Sequence, residues 1–490
     1  MNRMAGKVFL DLDAAFREGL KAPQAGLLWP TTVHDFRDIS GDCQSALKQM
    51  LSECTDPETC AVLLGGFNIA WECSNILIAL KNIQRIQQDG LTAVSGATSP
   101  LHRALLEDGK LPGSLSMRKW RLSRTGLKNL LCRPINLFLS CRSNLPLGKL
   151  PGFGGLGREG RRVALHSPVP LCKSYMATLP DWVHIRLINT WFGVDGRLSL
   201  SNGVEQKIDE AAEEMASLVE EIARRHGLLI GEKVLTHCKD EVASLLLHVA
   251  QDLARVRRAL KKEGPFEYLG VSGTNYYSRI LSLAVAQEGG TVTAFSHGGD
   301  TCRYLRDYSL AEFSTCDNFV VDNANCIPLF QQSLEAFPPP LDHSIHFIPR
   351  EHGRYLSVWK SYGRKTPAVR VRRVMLVSPP YHGELSMVDQ HPDLIKWELD
   401  LRIVGLLRSA GYQVVYKQHP GGVLGKSPVE FFPDDVEVVR EPFETVLDKA
   451  DAFVLYHTVT TVLSSALCTN KPIVFIHCGN ERWLDEPYEL

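Results

Sequence analysis

Lys417 and His419 stand two residues apart where an apolar run ends, and Pro420, Gly421 and Gly422 follow at once. Alternation in an extended chain puts both side chains on the same side. A cation and an imidazole beside bare glycine backbone form a seat for an anion. The side chains supply charge and donors, and the glycines let backbone amides approach a phosphate. A surface strand end that merely carries a histidine would look the same. A second polar cluster, residues 457–461, reads HTVTT, with hydroxyls at Thr458, Thr460 and Thr461 where a helix should begin. Helix starts bind phosphate through backbone amides, although Ser and Thr also cap helices that bind nothing.

The first half of the chain has its own counterpart. Residues 296–300 read SHGGD, placing His297 and two glycines after a buried run. A turn with a satisfied histidine is the plainer alternative. One strand earlier, residues 272–279 read SGTNYYSR, so Thr274, Asn275 and Arg279 would face the same cleft. Metal binding finds no support: His343, His346 and His352 lie in a stretch with no strand or helix to present them together. A serine hydrolase finds none either, because no GxSxG elbow occurs.

These residues need elements to hold them. Short β-branched runs at 268–271, 291–295, 318–321, 374–377, 413–416, 452–456 and 473–476 predict buried strands, and 8–12 an initial one. Helical spacing of apolar residues predicts helices over 202–225, 240–262, 280–287, 393–410 and 462–467. Asp56-Pro57-Glu58 opens another that runs to about 88 unless Gly65-Gly66 breaks it. Strand, polar loop, helix, strand is the grammar of a parallel α/β sheet, whose ligands bind at the carboxyl ends of strands. Phe337-Pro338-Pro339-Pro340 stops the pattern, and the boundary between two units is placed between about 337 and 370.

At 490 residues the chain exceeds one core. Its 44% hydrophobic and 22% charged residues are those of a globular protein, and a net charge of −1 gives no sign of nucleic-acid binding. Thirteen cysteines without a CxxC pair point to reduced thiols in the cytoplasm. Asp11 and Asp13 interrupt the start where a signal peptide needs an apolar core. The apolar stretch 61–80 carries Glu72, Asn68 and Asn75 and reads as a buried helix rather than a membrane span. Residues 118–162 hold eleven Lys or Arg against one acid, Glu159. They suit an anionic membrane or an acidic acceptor as well as a solvated basic loop.

Two α/β halves, an HG loop in the first, and KxHP followed by a Ser/Thr-rich loop and KP in the second resemble GT-B glycosyltransferases. The resemblance covers about residues 265–476 and points to the bacterial capsule and lipopolysaccharide group of polysialyl- and Kdo-transferases. Teichoic-acid glycerophosphotransferases share similar motifs. It implies two Rossmann-like domains with parallel sheets facing a central cleft: 1–340 on the acceptor side, 341–370 as linker, and 371–490 for the nucleotide sugar. It implies transfer of a CMP-activated acidic sugar to a surface-polysaccharide or glycolipid acceptor, with no cofactor or metal, in the cytoplasm or at the inner face of the membrane. Lys417, His419, Pro420, Gly421, Thr458, Thr460, Thr461 and Ser464 would hold the donor. His297 and a carboxylate, Asp300, Glu384 or Asp389, would act in catalysis. Thr274, Asn275, Arg279 and Arg303, with Arg306, would meet the acceptor or the acidic sugar. A nucleotide-sugar 2-epimerase, a glycerophosphotransferase or a non-catalytic glycan-binding assembly protein are the alternatives.

Overall fold

Runs that are apolar at every position, such as 319–321 and 414–416, ask for cover on both faces. The computed structural model provides it, in two parallel sheets each packed on both sides. It describes residues 7–17, 30–96, 100–107, 162–165, 170–176, 178–179, 184–187, 200, 202–263, 267–270, 273, 275–296, 298, 307–340, 344–350, 353–366, 368, 370–381, 393–419, 428–457 and 461–478.

A two-stranded parallel pair, β1 (Lys7–Phe9) and β2 (Thr92–Val94), comes first. The six-stranded sheet contains β3 (Arg162–Leu165), β4 (His184–Leu187), β5 (Glu267–Gly270), β6 (Thr291–Phe295), β7 (Asn318–Val321) and β8 (His346–Pro349). Their order is β4-β3-β5-β6-β7-β8, so the chain reverses direction across the sheet between β3 and β5. Alternation divides its side chains cleanly. Tyr268, Ala294, Phe319 and Val321 join a helical core, while Leu269, Phe295 and Val320 pack the opposite face with Leu171 and Met176.

That helical core is the largest in the molecule. Val33–Glu53 packs along Asn68–Gln88, and Asn202–Arg225 along Glu232–Glu263. The helix expected from residue 57 does break at the double glycine, into Pro57–Gly65 and Asn68–Gln88, bent by 49°. A Cβ at Gly65 would lie 2.5 Å from Val249 Cγ1, so the bare residue is what lets Pro57–Gly65 touch Glu232–Glu263. Among the described residues no single helix is long and apolar enough to cross a membrane.

The five-stranded sheet holds β9 (Arg373–Val377), β10 (Gln413–Lys417), β11 (Glu437–Val439), β12 (Ala452–Leu455) and β13 (Ile473–Phe475). Its order is β11-β10-β9-β12-β13, which puts the reversal between β9 and β12. Met375, Val415, Phe453 and Leu455 face one core, and Val374, Leu376, Val414 and Val454 face the other. The helix Asp393–Ser409 covers the second of these through Ile403 and Val404.

The segment 341–370 is not a plain linker. Its residues 346–349 form β8, and the helix Gly353–Val358 packs against the five-stranded sheet through Val358. The amino-terminal piece also departs from a division at 340. Phe9, Leu12, Ala14 and Ala15 share a core with Tyr381, Leu394 and Trp397, and Phe16 packs between Trp397 and Phe431. Proline content hid β8, because Pro349 ends an edge strand where a missing N–H costs little.

Candidate functional site

Lys417 ends β10 beside β9 and β11, in register with Val377 and Val439. Period-two alternation sets it on the opposite face from Tyr416. Only 4% of it is exposed, and its ammonium donates to the Gln418 carbonyl at 2.6 Å. No carboxylate forms an ion pair with it among the described residues. Burial pulls its pKa down, and Glu441 and Glu444 pull the other way. Glu444 has its own partners, Arg354 and the Ser465 hydroxyl. An ammonium has three donors, so Lys417 is a largely desolvated cation with donors to spare.

Around it, His419 is half-buried just beyond the strand, and His457 is buried just beyond β12 on the other side of β9. Thr461 opens the helix Thr461–Leu467. One turn on, Ser464 is buried with its Oγ unpartnered. The structure therefore places Lys417 and His419 at the carboxyl end of β10, and Thr461 and Ser464 in the helix after β12, on either side of β9 and along the edge where open α/β sheets bind ligands. Pro420, Gly421, Thr458 and Thr460 lie outside the described residues, as do His297, Asp300, Glu384, Asp389, Thr274, Arg303, Arg306 and the stretch 118–161.

A second group, outside the expected site residues, lies on the opposite face. Asp400 is fully buried, with Oδ2 accepting from Tyr416 at 2.5 Å, Tyr381 at 2.7 Å and Ser378 at 3.1 Å. Tyr456 donates to Oδ1 at 2.7 Å. Burial raises the carboxyl pKa and the four hydroxyls oppose that rise. Ser378 and Tyr381 follow β9, Tyr416 lies in β10 and Tyr456 follows β12, so a single carboxylate ties three strand ends to one helix. Lys396, one turn back, is buried on the Pro380 carbonyl at 2.8 Å and Asp393 at 3.2 Å. The signal for the group along the chain is a tyrosine placed next to each polar head, at 416 before Lys417 and at 456 before His457.

In the six-stranded sheet, Asn275 caps the helix Tyr276–Gln287 by accepting from the Ser278 amide. Arg279 corrects an expectation. It is wholly buried, donating to the carbonyls of Gly273 at 2.7 Å, Leu64 at 2.9 Å and Ala311 at 2.8 Å, and to that of Leu310. Its guanidinium stacks on Phe67 at 3.8 Å. With these donors committed inside the fold, Arg279 braces the loop after β5 and does not offer itself to an acceptor. A Cβ at Gly273 would sit 1.7 Å from the Ala311 carbonyl oxygen, which shows how closely that loop is packed.

At the carboxyl edge of the same sheet stands a carboxylate that the sequence reading passed over. Asp322 follows β7, and Ser296, which follows β6, donates to its Oδ2 at 3.1 Å. Burial pushes its pKa up to about 6, against the pull of Ser296 and its own backbone. Among the described residues no three His, Cys, Asp or Glu side chains group to hold a metal ion. No family model matches the chain, and no curated protein matches its sequence.

Proposed function

We propose that the chain is a nucleotide-dependent transferase of GT-B type, moving a sugar from a nucleotide donor to a hydroxyl of a glycan or glycolipid. The observation that carries this reading is Lys417: a buried ammonium at the carboxyl end of β10, one strand from the reversal of a parallel sheet, with one carbonyl partner and no ion pair among the described residues. Burying an unpaired charge is costly, and an arriving phosphate offsets that cost. In the proposed reaction Lys417 and His419 stabilise the phosphate as it leaves, the step at which negative charge grows. Thr461 and Ser464 complete the seat from beyond β12, on the other side of β9. The donor's acidic sugar and its CMP carrier rest on the resemblance of KxHP and the Ser/Thr loop alone.

The test is a thermal-shift panel of CMP, CDP, UMP and UDP on the full chain. A ligand at ~100 times its dissociation constant stabilises by ~2.7 kcal/mol. The cognate nucleotide should raise the melting temperature, and Lys417→Ala should remove the shift. A shift that survives Lys417→Ala, or none from any nucleotide, sinks the reading. Release of nucleotide from a candidate donor then separates an enzyme from a glycan-binding assembly protein.

A further inference from the structure

Ser296 and Asp322 leave neighbouring strands at one edge of the six-stranded sheet, joined by the Ser296 hydroxyl, which also reaches the Gly298 carbonyl at 3.1 Å. Asp322 is 4% exposed, and its Oδ1 is buried without a hydrogen-bond partner. Among the described residues no cation contributes to its electrostatics. Buried polar atoms are nearly always partnered, and a carboxylate oxygen is among the costliest to leave bare. The bare oxygen also stands at the carboxyl edge, where sheets of this kind receive ligands.

We propose that Asp322 Oδ1 is the seat for a hydroxyl of a sugar or polyol ligand. The missing partner must be a donor, which excludes an anion. A hard metal ion wants six or more oxygens, and among the described residues this edge offers one carboxylate and one seryl oxygen. A hydroxyl needs one acceptor, and Oδ1 is one. Ser296 fixes Oδ2, so the carboxylate is already oriented when the ligand arrives. Only the ligand class leans on the transferase reading; the vacant acceptor atom does not.

Glycerol, galactose and N-acetylneuraminic acid serve as probes, with binding to the full chain followed by saturation-transfer NMR. Melting curves are recorded for wild type, Asp322→Asn and Asp322→Ala. At least one probe should bind wild type, and its affinity should fall ten-fold or more in both variants. The melting temperature of Asp322→Asn should hold or rise, because an amide replaces a desolvated charge. CMP, titrated in parallel, should bind wild type and Asp322→Asn equally. Absence of CMP binding counts against the transferase reading alone. Three results overturn the Asp322 assignment: a marked melting-temperature loss in both variants, probe binding that is absent or indifferent to the substitutions, or stabilisation of wild type alone by Mg2+ or Ca2+.

Discussion

Asp400 and Asp322 are both buried carboxylates close to the carboxyl ends of parallel strands, and they are dressed in opposite ways. Asp400 accepts four hydroxyl bonds divided over both oxygens. Asp322 accepts one, on Oδ2, and leaves Oδ1 bare. Burial raises the pKa of each, so burial alone does not tell their roles apart. The supply of donors does. A saturated carboxylate has nothing to give a ligand and holds chain segments together, whereas a half-saturated one costs stability until something completes it.

The widest separation between the two comes from removing each. Asp400→Ala strands the Tyr381 hydroxyl and leaves Tyr416 on the Ser378 hydroxyl, Ser378 on the Pro379 carbonyl and Tyr456 on a long 3.4 Å contact with the Lys396 carbonyl, at ~1–3 kcal/mol for each group left unpaired or weakly paired. Partial relaxation leaves a loss on the order of 4 kcal/mol, read as a lower urea midpoint. A loss under about 1 kcal/mol would show that the hydroxyls find other partners and that Asp400 is no anchor.

Asp322→Asn should move stability the other way, and pH gives the sign. The folded pKa of about 6 lies above the ordinary 3.8, so the folded state holds its proton more tightly. The wild type is then unpenalised below pH 4 and loses stability as pH rises to 6. The full penalty is about 3 kcal/mol at pH 7, as an upper figure. Wild type and Asp322→Asn should therefore differ little at pH 4 and diverge by pH 7, with the variant the more stable. Parallel stability curves from pH 4 to 7 would break the contrast with Asp400.

Lys417 extends the comparison to a cation. Lys417→Ala should leave the urea midpoint unchanged or higher and weaken the cognate nucleotide by ten- to a hundred-fold, as expected for a charged hydrogen bond of ~1.5–3 kcal/mol. His419→Ala should act in the same direction. Calorimetry beside unfolding curves separates the outcomes, and a stability loss with unchanged affinity would make Lys417 structural.

What the sequence disclosed follows the range of the forces involved. Strands 291–295 and 318–321 and the helix 202–225 match the expected bounds to the residue, because their patterns are local and strong. The helix Val33–Glu53 went unread although Thr32 and Asp35 form a capping box at its start. β3 and β4 were missed because Arg162 in the first and His184 and Arg186 in the second leave too few apolar positions for a short run to stand out. Lys417 and His419 were legible since a polar head after an apolar run is visible along the chain. Asp400 was not, because its meaning lies in partners 16 to 56 residues away. Arg279 misled for the same reason: three of its acceptors come from Leu64, Leu310 and Ala311, far along the chain.

The finest test turns Asp400 into a copy of Asp322 by one hydroxyl. Among the described residues Tyr456 is the sole hydrogen-bond donor to Asp400 Oδ1, while Oδ2 has three. Tyr456→Phe keeps the ring and its packing and leaves Oδ1 bare, which should cost ~1–2 kcal/mol. Tyr381→Phe removes one of three donors from Oδ2, and the two that remain hold the cost to ~0.5–1 kcal/mol. The larger loss should also carry a pH signature. A carboxylate deprived of a donor binds its proton more tightly, so Tyr456→Phe should recover towards wild type as pH falls, and Tyr381→Phe should recover less. Urea unfolding of both variants at pH 5 and pH 8 provides the measurement. Equal losses with equal pH response would mean that the carboxylate turns freely among its donors, and the count on each oxygen would no longer separate an anchor from a ligand seat.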